Sequence, residues 1–276
     1  MRKKSKIEII TVIALLMTNL AAAQYKTTCK EMQLKGNVKS ISESQYKLNE
    51  VNPGLNEIVL TDFSFNKNCR KTKEISNEVG GDIKYRHEIS YNKAGKISSE
   101  IRQNSDVEAD FIYKYKYDAS NRLSTKELFS RGRLISTNHY TYNSNGNVAV
   151  MEIKKKLGLL DINNEKFEYK YDDKNRLIEE IHNDGAEYRK TEYVYDERDR
   201  LTRKVEYNHR GGIDYEFDYE YDEFDNPSVE RAKYRGNELT YFSYVYEYDD
   251  QKNWINKRSL SNEQTYSLQI RIITYY

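Results

Sequence analysis

The sequence is short of the residues that punctuate a chain and that usually carry chemistry. Only Pro53 and Pro227 interrupt its 276 residues, and no Gly-, Ser- or Pro-rich stretch divides it, which excludes an obvious linker and reads as a single domain. No Gly-x-Ser-x-Gly elbow, His-Glu-x-x-His helix, Gly-rich phosphate loop or Cys-x-x-Cys pair occurs. The four histidines, His87, His139, His182 and His209, are scattered without the spacing of metal ligands. Neither charge sign dominates: 45 Lys and Arg face 44 Asp and Glu, interleaved along the chain. That balance excludes the basic stripe nucleic-acid binding needs and any single-sign field to steer a charged partner. Long apolar runs are missing too. The longest, Ile9 to Leu20, falls short of the roughly 18 to 20 residues that cross a bilayer.

That run sits in a recognisable leader. "MRKKSK" supplies a basic start, and Ala21, Ala22 and Ala23 supply the small residues before a cleavage site, so residues 1–23 read as a signal peptide cut near Ala23. Gln24, not cysteine, follows, which argues against lipidation. Export to the periplasm, cell surface or medium is the expectation, with no integral membrane segment in residues 24–276. Cleavage removes four basic residues and one acidic, turning 45 against 44 into 41 against 43. Cys29 and Cys69 remain, and an oxidising compartment makes a disulfide between them the expected state.

What the sequence has in abundance is a period. Units begin at Phe63, Ile89, Tyr115, Tyr140, Tyr169, Tyr193, Tyr219 and Tyr246. Two residues on, each is aromatic (Phe65, Tyr91, Tyr117, Tyr142, Tyr171, Tyr195, Tyr221, Tyr248), and the next residue is always Asp or Asn. Three further on stand Cys69, Gly95, Asn121, Gly146, Asn175, Asp199, Asp225 and Lys252. An apolar residue such as Leu177 or Leu201 follows two positions later, with Lys71 and Pro227 as exceptions. Such a period marks a repeat architecture. Asp or Asn opens a type I turn by accepting a backbone hydrogen bond, and Gly or Asn three later suits the left-handed conformation of a bulged hairpin.

Flanking segments such as "EYKY" and "RLIEEI" alternate as strands do. Each unit is two strands and two turns, and the short connections force an antiparallel up-and-down meander of about 16 to 18 strands. "LKGNVKSI" from Leu34 and "IRIITYY" from Ile270 are partial units that read as the two edges. The inner face would carry Tyr169, Tyr171, Leu177, Tyr193 and Tyr195, with Lys170, Ile178 and Glu180 on the other. Apolar residues are 37% of the chain and 26 tyrosines do much of the burying, so a strongly twisted or coiled sheet is expected, an open strip or partly closed shell. A membrane barrel is disfavoured because either face carries charges, such as Glu179 and Arg203 or Lys170 and Glu180.

"YKYDASNRL", "YKYDDKNRL" and "YVYDERDRL" resemble the YD repeats of the RHS family of bacterial surface and toxin-associated proteins, over roughly residues 34–276. The resemblance implies hairpins coiled into a hollow β-shell and, for some YD-containing proteins, carbohydrate binding. It covers the repeat portion only. The family's self-cleaving segment, with its Asp-Pro-x-Gly motifs, has no counterpart before Tyr276, and eight units are few for enclosing a large cargo. Short exported YD-repeat proteins are the nearer likeness.

Several residues invite a functional reading. Asp222, Glu223 and Asp225 could ligate calcium, but an Asp or Asn recurs wherever a turn needs one, and turn chemistry is the stronger reading. The longest unit contains "KKKLGLLDINNE", where Lys154, Leu157, Leu159 and Leu160 form a candidate contact loop. The expectation is a non-enzymatic, cofactor-free module that binds a glycan or protein through the strip of Tyr169, Tyr171, Tyr193 and Tyr195 or through that loop. A carboxylate hydrolase in the sheet groove and a purely structural envelope component are the alternatives.

Overall fold

The computed structural model describes residues 26–48, 55–78, 81–157, 160–261 and 264–276. The expected signal peptide and the Pro53–Gly54 turn lie outside them. β1 (Val38–Leu48) opens the array and β18 (Gln264–Tyr275) ends it. Between them run the hairpins β2 (Leu55–Phe65) with β3 (Lys71–Glu78), β4 (Ile83–Tyr91) with β5 (Ile97–Asn104), β6 (Val107–Tyr117) with β7 (Leu123–Ser130), and β8 (Arg133–Tyr142) with β9 (Val148–Leu157). β10 (Leu160–Tyr171) with β11 (Leu177–Asn183), β12 (Tyr188–Tyr195) with β13 (Leu201–Tyr207), β14 (Ile213–Tyr221) with β15 (Pro227–Tyr234), and β16 (Asn237–Tyr248) with β17 (Trp254–Ser261) complete the series.

The turns follow the sequence slots. All eight slot residues, from Cys69 to Lys252, have positive φ, Asn175 at 63°. Asp172 shows how the turn is held. Its Oδ1 accepts the backbone N–H groups of Lys174 and Arg176 at 3.0 and 2.9 Å, and its Oδ2 accepts Arg176 Nε–H at 2.6 Å. A bulge closes each hairpin, as where Lys170 pairs with Glu179 but Tyr171 with Leu177.

The sheet is neither an open strip nor a partly closed shell: it is a closed 18-stranded antiparallel barrel. Each strand pairs with its successor and β18 pairs back onto β1, from Val38 opposite Tyr275 to Lys47 opposite Ser267. The two chain ends read above as edges are therefore the halves of one further unit. Val38 meets Tyr275 across a bulge as Leu177 meets Tyr171, and Tyr276 N–H donates to Asn37 O at 2.9 Å as Asp172 N–H donates to Arg176 O at 3.0 Å. Gly36, at φ 72°, takes the left-handed slot, and Tyr275 ring carbons lie 3.2 Å from where its Cβ would be. Closure removes the unpaired edges that an open meander exposes.

Tyrosine hydroxyls tie successive units together. Tyr91, Tyr117, Tyr142, Tyr171, Tyr195 and Tyr221 each donate to the backbone carbonyl of the slot residue one unit earlier: Lys71, Ile97, Leu123, Val148, Leu177 and Leu201, at 2.6 to 2.9 Å. A phenylalanine would fill the same space and leave these bonds unmade. At the seam the series breaks, because Phe65 has no hydroxyl; Tyr276, one residue past the aromatic position, donates its Oη–H to Phe65 O at 2.6 Å instead.

The rim of Asp turns is stitched from turn to turn and strapped. Arg176 reaches Asp199, and Arg200 reaches Asp225, at 2.9 and 3.1 Å. The segment before β1 lies against this rim, with Cys29 disulfide-bonded to Cys69 at a Cα separation of 5.4 Å and Asn253 hydrogen-bonded to both the N–H and the C=O of Lys35.

The outer wall carries ion pairs at mid-strand, Arg86–Glu88, Lys166–Glu168 and Arg203–Glu216, and others nearer the Asp-turn rim, Lys116–Glu127, Lys170–Glu179 and Arg231–Glu220, beside exposed Val194, Val245 and Ile272. Among the described residues no helix is long and apolar enough to cross a membrane, which says nothing of a barrel.

Candidate functional site

The inner wall is organised in rings. The first aromatic of each unit stands opposite the residue three after the apolar slot: Phe63 with Glu74, Ile89 with Glu100, Tyr115 with Lys126, Tyr140 with Met151, Tyr169 with Glu180, Tyr193 with Lys204, Tyr219 with Glu230 and Tyr246 with Lys257. Seven of these eight partners are charged, and they face inward because the bulge consumes one residue of alternation. Glu180, expected on the outer face, is thus 6% exposed and lies inside.

These charges are held by their neighbours round the wall. His87 Nε2 lies 3.0 Å from Glu100, which also accepts hydrogen bonds from Arg102 and Tyr115 at 2.5 Å. Burial opposes ionisation of Glu100, but the His87 bond, the Arg102 charge and the Tyr115 hydroxyl outweigh it and hold the carboxyl at about 2. Glu180 is the contrast. Burial pushes its carboxyl up to about 7 against the pull of Lys204, and its Oε2 has no hydrogen-bond partner. Burial likewise lowers Lys126 and Lys257. Eighteen strands enclose more space than wall side chains span. The paired charges in these rings meet within one strand, as Lys71–Glu74 and Lys204–Glu206 do, or between adjacent strands, as His87–Glu100 does.

The tyrosine strip is not an accessible face. Tyr169 and Tyr193 are 8% and 4% exposed, and the Tyr171 and Tyr195 hydroxyls are engaged by Val148 O and Leu177 O. Burial raises Tyr169 and Tyr193 well above the ordinary tyrosine range. The sequence KKKLGLLDINNE is mostly strand: β9 and β10 continue through it and pair at Leu157 and Leu160. Lys154 is exposed there; Leu159 and the side chains of Leu157 and Leu160 lie outside the described residues.

Asp222 and Asp225 shape and stitch their turn. Asp222 Oδ1 accepts the N–H groups of Phe224 and Asn226 at 2.9 Å, and Asp225 takes Arg198 at 2.8 Å. Glu223 is not drawn into a cluster with them. Among the described residues no group of three or more His, Cys, Asp or Glu side chains is placed to hold a metal ion.

A concave feature lies at the opposite rim, where the turns of β11–β12, β13–β14 and β15–β16 converge. It is a cleft of about 620 Å³ lined by Glu187, Arg189, Lys190, Thr191, Glu206, Tyr207, Asn208, His209, Arg210, Asp214, Tyr215 and Arg235. The β15–β16 turn bends over the start of β14: Arg235 donates its backbone N–H to Asp214 O at 2.9 Å and its Nε–H to Asp214 Oδ1 at 3.1 Å, and Asn208 Nδ2 donates to the same Oδ1 at 3.1 Å. Burial opposes ionisation of Asp214, but Asn208, Arg235 and Arg189 outweigh it and hold the carboxyl below its ordinary range. Tyr215 packs on Tyr234 with ring centroids 5.0 Å apart, and Lys190 Nζ sits 4.3 Å above the Tyr207 ring.

Sequence reading missed this cleft because its residues span three hairpins whose tips meet only when the barrel forms. The one local signal is "YNHRGG", which repeats the Asx turn at the wrong rim: Asn208 Oδ1 accepts the N–H groups of Arg210 and Gly212 at 3.0 and 3.1 Å.

Fold and site define a class: a closed up-and-down barrel of eighteen strands, inwardly tyrosine-rich and charged, with a polar cleft at one mouth. The chain belongs to a protein family described as "Uncharacterised protein", whose profile matches residues 107–256. No curated protein matches it by sequence. Among solved structures it is similar to a porin-like protein from Bacteroides uniformis, at 10% identity over 87% of this chain and 99% of that one, with a TM-score of 0.46. A porin-like protein from Bacteroides vulgatus aligns at 11% identity over 87% and 98%, with a TM-score of 0.38. The TcdB2-TccC3-TEV structure aligns at 10% identity over 80% of this chain but 15% of that one, with a TM-score of 0.27.

Proposed function

We propose that this protein is an exported, non-enzymatic binding protein: a barrel with a water-facing outer wall that presents the rim cleft to a glycan. One observation carries the reading. The cleft places the Tyr207 and Tyr215 rings among planar hydrogen-bonding groups, Asn208, Arg189, Arg235 and Asp214, at a size suited to a small ligand rather than a protein surface. The Arg86–Glu88, Lys166–Glu168 and Arg203–Glu216 pairs on the outer wall support a face in contact with water, because charge at mid-strand is costly against lipid. Glu187, Glu206 and Asp214 are each paired with a cation, Arg189, Lys204 and Arg235, which supports a part in shaping a binding cleft. The resemblance to YD repeats fits the same direction.

Screening the purified chain on a glycan array, with the Asn208→Ala/Tyr215→Ala variant beside it, tests the reading. Retention of a glycan by the parent and its loss from the folded variant is the expected outcome. An empty array for the folded parent, or equal retention by both proteins, would overturn it.

A further inference from the structure

The cleft's charges do not balance. Four cations line it, Arg189, Lys190, Arg210 and Arg235, against three acids, Glu187, Glu206 and Asp214. Each acid is already paired: Glu187 with Arg189 at 2.7 Å, Glu206 with Lys204 at 2.6 Å and Asp214 with Arg235 at 3.1 Å. Lys190 is paired outside the cleft, with Glu192 at 2.7 Å. Among the described residues, Arg210 is the cleft cation with no carboxylate within ion-pair distance. Its Nε–H donates to His209 Nε2 at 3.2 Å. In that bond His209 Nε2 is the acceptor.

The arrangement leaves the two terminal NH₂ groups of Arg210 for a ligand, in the fork geometry that matches a carboxylate at both oxygens. The turn beneath is set by the Asn208 side chain and by Gly211 at φ 78°, so Arg210 rides on a fixed backbone. Tyr207 precedes this turn and Tyr215 follows it, and both line the same cleft as Arg210.

Resting on the glycan reading above, we infer that the ligand is an acidic oligosaccharide of the uronate type. Its carboxylate pairs with Arg210 and its sugar rings lie in the cleft between Tyr207 and Tyr215. Glu187 and Asp214 line the rest of the cleft, and with their ion-pair partners they favour a ligand with one localised anionic group over a polyanion.

Calorimetric titration of the full chain with trisaccharides that each carry a single galacturonate, glucuronate or mannuronate residue, and with their methyl esters, tests this. At least one acid should bind about tenfold or more tightly than its own ester, the worth of one charge-assisted bidentate contact. Arg210→Gln should abolish that preference, and Arg210→Lys should restore part of it. Arg210 stands at an exposed turn tip, so both variants should keep the parent's far-ultraviolet dichroism. Equal affinity of the parent for acid and ester, or an acid preference that survives Arg210→Gln, overturns the uronate assignment and leaves the glycan reading standing. Binding of neither form overturns the uronate assignment, and the glycan array then decides the glycan reading.

Discussion

Tyrosine is used in this chain as an apolar residue that also spends its hydroxyl. The ring covers the inner wall, and in six consecutive units the hydroxyl reaches a backbone carbonyl one unit back. Glu180 is the residue least suited to its place. Its folded carboxyl titrates near 7, against an ordinary value of 4.5 in the unfolded chain. Between those values the unfolded chain holds fewer protons than the fold, so stability falls as pH rises through that window and stays lower above it. Glu180→Gln should therefore match the parent near pH 4 and exceed it by about 1 to 3 kcal/mol near pH 8, measured by denaturant melts. A difference that does not change with pH would refute the assignment of a strained, buried carboxylate.

At the scale of the hairpin, three kinds of residue divide the work, and substitutions should separate them. Tyr171→Phe removes one hydrogen bond and should cost about 1 kcal/mol, whereas Tyr171→Ala also empties packed volume and should cost about 3 to 5. Asp172→Ala should cost about 0.5 to 1.5 kcal/mol. Asn175, at φ 63°, should tolerate Gly and lose about 1 kcal/mol as Ala, because a Cβ is strained in the left-handed region. Equal costs across this series in urea melts would contradict the division. Most of this was legible beforehand: the Asp, the left-handed slot and the aromatic pair are local requirements, repeated eight times. Glu180 was placed on the wrong face because simple alternation ignores the residue that the bulge between Tyr171 and Leu177 consumes.

The whole molecule depends on the unit shared between its ends. β18 and β1 supply what one hairpin supplies elsewhere, so removing Gln264–Tyr276 deletes one strand yet leaves two edges, on β1 and β17. The truncated chain should lose the parent's single cooperative thermal transition and self-associate through those edges, as light scattering would report. A truncated chain that stays monomeric and melts like the parent would show that closure is dispensable. The same scale explains the cleft: Glu187, Arg210 and Arg235 belong to three separate turns, and each is unremarkable until they share one mouth.

Period, turn chemistry and the inward tyrosines were determined by sequence alone, because each rests on interactions among residues close in the chain or one unit apart. The partial units around Leu34 and Ile270 were equally visible, but both read as edges. Only the tertiary structure decided that they complete each other, that Glu180 turns inward and that a cleft forms at the far rim. The physical reason is common to all three. Closure, bulge phase and the meeting of distant turns depend on how strand pairings accumulate around the barrel, and no single unit contains that sum.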